Sequence, residues 1–468
     1  MYFEQFYLGC LAHASYMLAS EGEAVVVDPQ RDVELYLHSA AAHGVTIRHV
    51  FETHLHADFV SGHKELAART GAQIYMGRHA DARFAHIPVR EGFELKFGKA
   101  AIRVLETPGH TLESICLVIV DPLAIQKDRS AEPWAVLTGD TLFIGDVGRP
   151  DLSPRHTPAQ LAGMLYDSLH QKLIPLGDRV LVYPAHGAGS LCGKNMRAER
   201  SSTIGTERLT NYALQIKSRE EFIAQLTSNL PARPEYFLKD AEINRSGAPA
   251  LSDLPPLEAL TPSQLAELLS QGELALDVRP GEDFAAGHVP GSVNIALSGQ
   301  FASWAATVLG LTARPVLIAA DQEELEEARL RLARVGIEEL DGYLAGGVAA
   351  WQQAGLPLES VAQINVTELD ARLNSNTIRV LDVRRAPEWD AAHIEQAEWW
   401  PLDNFKVSAP EIDREVPLAV HCKGGYRSMI AASLLQRAGF SNVINVVGGF
   451  DAWQQASLKS VSGKPVPV

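Results

Sequence analysis

The stretch THLHADFVSGH, residues 53–63, follows the apolar run HVFE (49–52) and puts His54, His56 and Asp58 within five positions. A strand that ends in such a loop delivers imidazoles and a carboxylate to one point, which is the donor set of a metal site. Three further apolar runs end the same way. IRVLETPGH (102–110) ends at His110, WAVLTGD (134–140) at Asp140, and RVLVYPAHG (179–187) carries His186. A single strand-end histidine is ordinarily a hydrogen-bonded core or surface residue. Their recurrence along one chain points to a shared centre at the C-terminal ends of several strands, where α/β proteins gather their polar groups. Phe59, directly after Asp58, has no lone pair to donate, and its ring makes that corner apolar.

Histidine distribution supports this placement. Thirteen of the 16 histidines fall between His13 and His186, leaving only His288, His393 and His421 for the rest of the 468-residue chain. A chain of this length needs two to four domains. The formal net charge of −16 argues against binding a phosphate backbone and for a small-molecule substrate. No apolar run is long enough to span a bilayer. The first basic residue is Arg31, so the basic start of a targeting peptide is missing. Cys10, Cys116, Cys192 and Cys422 lie far apart and form no C-x-x-C pair. These features predict a reduced, cytoplasmic protein with no nucleic-acid or membrane partner.

Short apolar strands alternate with helical stretches over residues 1–245; AVVVD (24–28) reads as a buried strand and 33–43 as a helix. SGAPALSDLPPLEALTP (246–262) breaks the periodicity and reads as a linker. An internal repeat follows. LALDVRPGEDFAAGHVPG (274–291) matches RVLDVRRAPEWDAAHIEQ (379–396), and AGGVAAWQQAG (345–355) matches VGGFDAWQQAS (447–457). Two α/β domains are expected, over 263–358 and 362–468.

The set THLHAD, TPGH, TGD and PAHG resembles the metallo-β-lactamase superfamily over residues 1 to about 240. That resemblance implies an N-terminal αββα sandwich with its site at one edge. In dinuclear members, His54, His56 and His110 match the ligands of one ion; Asp58, position 59 and His186 match those of the other, bridged by Asp140. Phe59 removes one ligand. The nearer likeness is to persulfide dioxygenases, which implies one Fe(II) per chain held by His54, His110 and Asp140, with His56, Asp58 and His186 orienting those ligands. A single zinc at a hydrolytic site stays open. Arg149 in FIGDVGRPDL (143–152) and Lys194 in GAGSLCGKN (187–195) are candidates to hold an anionic thiol carrier. Cys192 reads as a small structural residue.

VHCKGGYRSMIAASLLQRAG (420–439) runs from a strand through a tight loop into a helix. Backbone N–H groups and the helix N-terminus favour a thiolate on Cys422, Lys423 and Arg427 add charge, and Gly424, Gly425, Tyr426 and Ser428 complete the cradle. With DVR (382–384) and GGFDAW (448–453), this unit resembles the rhodanese sulfurtransferases, which implies a persulfide carried on Cys422. Four residues separate Cys422 from Arg427, a smaller ring than phosphate-binding loops use. Residues 395–397, EQA, depart from the family's usual P-G-A. In the first repeat, Ala320 stands at the cysteine position, Leu325 and Glu326 replace Arg427 and Ser428, and Asp321, Glu323 and Glu324 make the loop acidic. It reads as a catalytically silent copy serving domain packing, homo-oligomer contacts or docking.

The combined expectation is oxidation of a low-molecular-weight thiol persulfide by O2 to sulfite and thiol, coupled to sulfur transfer among persulfide, sulfite and thiosulfate. The alternative is a metal-dependent thioesterase of the hydroxyacylglutathione hydrolase type with an appended sulfurtransferase.

Overall fold

A computed structural model describes residues 1–121, 133–153, 155–228, 230 and 233–464; the last four residues of the domain expected over 362–468 lie outside them. The chain divides into one unit of Met1–Leu254 with Ala333–Gly336, and a second of Pro255–Leu332 with Ile337–Val468.

The first unit is built on two six-stranded sheets. In one, Tyr2–Leu8, His13–Ser20, Glu23–Val27, Thr46–Glu52, Gln73–Gly77 and Ile87–Val89 lie side by side in chain order. In the other, the order is Ser202–Thr203, Leu181–Pro184, Ala135–Gly139, Ile115–Val120, Ala100–Glu106 and Glu94–Phe97. Alternate residues of each strand face opposite ways. Tyr16, Leu18, Val25 and Val27 therefore meet Ile102, Val104, Leu117 and Ile119 between the sheets. Their neighbours Met17, Ala19, Ala24 and Val26 pack outward under the helices Glu34–Ala42 and His63–Thr70. Helix Pro158–Ser168 and the later helix Arg219–Thr227 cover the other sheet. Burial on both faces explains why AVVV is apolar at every position rather than at alternate ones. The result is an αββα sandwich.

The second unit holds two five-stranded parallel sheets of one topology. Ala259–Leu260, Gly342–Leu344, Val316–Ile318, Ala275–Asp277 and Val293–Asn294 form the first. Ala362–Ile364, Val443–Val446, Leu418–His421, Arg379–Asp382 and Ala397–Trp399 form the second in the same spatial order. The repeated D-V-R motif does the same work twice: Arg279 forks onto Asp277 and reaches the Gly287 carbonyl, and Arg384 forks onto Asp382 and reaches the Ala392 carbonyl. The stretch expected as linker closes in structure. Ala259–Leu260 is an edge strand, and Thr261 caps helix Pro262–Ser270 by accepting from the Gln264 N–H. Two residues are too few to leave a periodic signature. Among the described residues no helix is long and apolar enough to cross a membrane.

Candidate metal centre and cysteine loop

Strand Thr46–Glu52 stops where its next residues turn into the 53–63 loop, and a hydrogen-bond relay fixes the first histidine there. Asp28, at the end of the adjacent parallel strand, accepts from Thr53 N at 2.7 Å and from Thr53 Oγ1 at 2.8 Å. Having donated to Asp28, Thr53 Oγ1 accepts from His54 Nδ1–H at 3.0 Å. This leaves the lone pair of His54 on Nε2. His110 is set the same way, its Nδ1–H donating to the Arg149 carbonyl at 3.0 Å. Gly148 permits that approach: a Cβ there would lie 2.0 Å from the Asp140 carbonyl oxygen and 2.9 Å from His110 Nδ1.

The two free nitrogens converge on one carboxylate oxygen. His54 Nε2 lies 3.8 Å and His110 Nε2 3.4 Å from Asp140 Oδ2, and that oxygen has no hydrogen-bond partner among the described residues. The ligand atoms of these three buried residues fall within 4.8 Å of one another. Burial holds both imidazoles below their usual range, so they are neutral donors. Burial would raise the Asp140 carboxyl, but the charged His186, whose Nδ1 donates to its Oδ1, outweighs burial and holds the group well below the usual carboxylate range. Two neutral imidazoles and one carboxylate with a bare oxygen fit a divalent ion with open positions.

His56 takes no part in this trio. Its Nε2 faces Asp28 Oδ1 at 3.2 Å and Glu52 Oε2 at 3.3 Å. Burial opposes its charge, but the two carboxylates outweigh burial and hold His56 well above the usual histidine range. The Phe59 ring packs on His56 and His13, with centroids 4.5 and 4.1 Å apart, which closes the apolar corner. His186 bridges two carboxylates, Nδ1 2.7 Å from Asp140 Oδ1 and Nε2 2.9 Å from Asp58 Oδ2. Burial lowers its affinity for a proton, yet Asp140 and Asp58 push it up to about 10. His186 thereby orients Asp140 so that Oδ2, the other oxygen, faces His54 and His110.

Asn244 clamps the loop from a distant helix, Tyr236–Ser246. Its Nδ2 donates to the carbonyls of His56 at 2.8 Å and Phe59 at 2.7 Å, while Oδ1 accepts from Ser61 N at 2.8 Å. No local sequence pattern marks this residue; Asp28, ending AVVVD, stood at a strand end like the other site residues and was legible in principle. Asn244→Leu keeps the volume but strands three buried backbone groups. We expect a loss of about 3 kcal/mol, read from denaturant unfolding of the full chain.

A cavity of about 390 Å³ has Leu55, Ala57 and Thr111, chain neighbours of His54, His56 and His110, in its wall, while His54, His110 and Asp140 themselves do not line it. Four arginines, Arg83, Arg155, Arg233 and Arg245, line it against Asp81 and Glu113. Neither expected carrier-binding residue does. Arg149 is buried, forked onto Asp151 at 2.7 and 2.9 Å, and its third nitrogen donates to the Leu191 carbonyl. Lys194 Nζ donates to the Ser228 carbonyl at 3.3 Å. Sequence alone ranked these two by proximity to motifs, which does not show where a side chain points.

In the second repeat, Cys422 is buried and its Sγ accepts from Gly425 N at 3.1 Å, with Ser428 Oγ at 3.6 Å. Gly425, at φ 108°, makes the turn that presents this N–H. The following glycine loop locks the cradle from behind: Phe450 N and Asp451 N donate to the carbonyls of Cys422 and Lys423. A Cβ on Gly449 would meet those same oxygens at 2.5 and 2.6 Å. Two expected cradle groups are engaged elsewhere. Arg427 forks onto Glu388 at 2.6 and 2.7 Å, and the Tyr426 hydroxyl donates to the Ala296 carbonyl of the first repeat at 2.8 Å. Lys423 pairs with Asp451 at 3.0 Å on the surface. In the first repeat, Glu324 turns its own carboxylate back onto Ala320 N at 2.9 Å, filling the loop with an anion.

Comparison with known proteins agrees with this architecture. Residues 8–122 match the metallo-beta-lactamase superfamily, and residues 261–354 and 365–456 each match the rhodanese-like domain. The mitochondrial persulfide dioxygenase ETHE1 of Mus musculus is 32% identical over 216 residues, covering 45% of this chain and 73% of that protein. A hydroxyacylglutathione hydrolase of Polaromonas sp. is 33% identical over 177 residues, covering 37% and 61%. Among solved structures, a metallo-beta-lactamase from Staphylococcus aureus subsp. aureus COL superposes with a TM-score of 0.64 at 31% identity, covering 74% of this chain and 98% of that one.

Proposed function

The chain belongs to the metallo-β-lactamase superfamily and carries two rhodanese-like domains, and from this premise we propose that it oxidises a low-molecular-weight thiol persulfide with O2 and passes sulfane sulfur through Cys422. The observation that carries the first half is the selection of donors. His56 is held by Asp28 and Glu52 and Phe59 offers nothing, which leaves His54, His110 and Asp140 as a three-donor face. Such a face suits one Fe(II), which when bound supplies the open positions and electrons that O2 and a sulfur ligand require. The protein's own groups do the rest. Thr53 and the Arg149 carbonyl fix the histidine tautomers and His186 turns Asp140, while Arg155, paired with Asp81, and Arg233, on the Asp151 carbonyl, would exchange those partners for carboxylates of a carrier such as glutathione. The balanced reaction is RSSH + O2 + H2O giving RSH, sulfite and two protons.

In the second unit, the Cys422 thiolate accepts a sulfane sulfur from persulfide or thiosulfate. The bond to the donor breaks and its thiol or sulfite leaves; the cysteine persulfide then hands that sulfur to sulfite or thiol. The Gly425 N–H donates to Sγ, where negative charge returns once the outer sulfur has been handed on.

Oxygen uptake with glutathione persulfide, measured on protein purified without oxygen and analysed for metal, tests the proposal against the hydrolase reading. A glutathione thioester hydrolysed without oxygen consumption would favour the hydrolase. We expect about one iron per chain. Phe59→His should raise metal content above one per chain and cut oxygen turnover about tenfold, because a charged ion then enters the apolar corner. Two tightly held irons, both needed for activity in the native chain, would overturn the assignment.

A further inference from the structure

Helix Tyr426–Arg437, which opens at the Cys422 loop, lies along Val293–Asn294, an edge strand of the first repeat. Asn294 N donates to Ser433 Oγ at 3.0 Å, and Arg437 donates to the carbonyls of Gly291 and Gly272, each at 2.9 Å. At the other end of the helix, Tyr426 sets its ring against the 296–300 loop, and its hydroxyl donates to the Ala296 carbonyl at 2.8 Å. Gly299 leaves room for that ring, since a Cβ there would lie 2.5 Å from Cε2 and Cζ of Tyr426. The loop is held from the first repeat's own side. Arg331, buried in the last turn of helix Gln322–Ala333, donates to the carbonyls of Leu297 and Gly299. That helix follows Ala320, the position of the missing cysteine, so it is the counterpart of the cysteine-loop helix itself. A buried guanidinium on two loop carbonyls fixes one loop shape, and that shape is the seat of a residue from the other repeat.

We infer that the first repeat is a positioning element for Cys422: Arg331 shapes the 296–300 loop, the loop seats Tyr426, and the seated Tyr426 fixes the direction from which the Gly425 N–H meets Sγ. This rests on the reading of Cys422 as the sulfur carrier. Gly425, at φ 108°, caps the helix and Tyr426 is its first residue, so a displaced Tyr426 pulls on Gly425 through one planar peptide bond. The 3.1 Å contact from Gly425 N to Sγ moves with it, as does Ser428 Oγ, 3.6 Å from the sulfur. A hydrogen bond weakens steeply once its donor turns away from the acceptor. Arg427 and Lys423 are engaged with Glu388 and Asp451, so the aim of this backbone N–H decides how well the loop supports charge on Sγ.

The test is a double-mutant cycle in the full chain between Gly299→Ala and Tyr426→Ala. Each protein is read twice, by the rate at which iodoacetamide alkylates Cys422 at fixed pH, followed by mass spectrometry of its peptide, and by kcat and KM of sulfurtransfer. Gly299 lies outside the left-handed region, so an alanine can adopt its backbone and the added methyl acts on the ring it meets. We expect Gly299→Ala alone to slow alkylation and lower kcat about tenfold, with KM within about twofold and oxygen uptake native. In the Tyr426→Ala background the same methyl should change either rate by less than about twofold, because the ring it displaces is gone. A methyl that only loosened the first repeat would cost the same in both backgrounds. Arg331→Gln, acting on the loop without touching Tyr426, should lower the same two rates about fivefold, and Arg331→Lys should restore part of the loss. Native rates in both Gly299→Ala and Arg331→Gln, or equal losses in the two backgrounds, would overturn the inference. A native chain that transfers no sulfur, yet shows the coupling in Cys422 alkylation, contradicts the sulfur-carrier reading alone.

Discussion

His110→Ala is expected to abolish sulfite formation from persulfide and O2, with iron falling from about one per chain to under about a tenth. The remaining pair, His54 Nε2 and Asp140 Oδ2, 3.8 Å apart, offers two donors where the centre needs three. The substitution also leaves the Arg149 carbonyl without its donor, a secondary cost of about 1–3 kcal/mol. That cost falls on the first unit. The cores around Leu369, Val380 and Trp453 and around Leu265, Val316 and Trp351 are built from second-unit residues, so Cys422 should exchange sulfur at its native rate. Circular dichroism of the full chain, iron analysis, oxygen uptake and thiosulfate sulfurtransfer measured on the same preparation check this. Full oxygen uptake in the variant would refute the ligand set.

Cys422→Ser should give the opposite division. Serine keeps the shape of the loop, and its oxygen can still accept from Gly425 N, but its hydroxyl stays protonated near neutral pH and cannot carry a persulfide. Sulfurtransfer between thiosulfate and thiol should drop roughly a thousandfold or more, while oxygen uptake with added persulfide continues and sulfite accumulates. Adding Ala320→Cys should not restore transfer. That loop already holds the Glu324 carboxylate on Ala320 N, and Glu324 N is in turn held by Asp321 Oδ1, so a thiolate placed there meets an anion instead of free N–H groups. Thiosulfate chemistry surviving in Cys422→Ser would move the transfer step to another sulfur or to the metal centre.

The sequence by itself determined the layers, the duplication and the donor types. Strands buried on both faces write themselves as unbroken apolar runs, and residues at strand ends such as His54, His110 and Asp140 are marked by the polar break that follows each run. The cysteine loop was legible for the same local reason, since Cys422, Gly425 and the helix start lie within a few residues. Only the tertiary structure shows which donors lie together. His56 and His54 are two positions apart, yet Asp28 and Glu52 draw one away while Thr53 aims the other at Asp140. Asn244 is far from the 53–63 loop along the chain, and nothing in its neighbours announces the Phe59 carbonyl that it reaches. Arg149 and Arg427 show the converse, for each sits in the expected motif with its guanidinium already committed to Asp151 or Glu388. A motif fixes residue types and backbone course through local spacing. The direction of each side chain depends on hydrogen-bond and charge partners supplied by distant segments, and those partners exist only once the chain has folded.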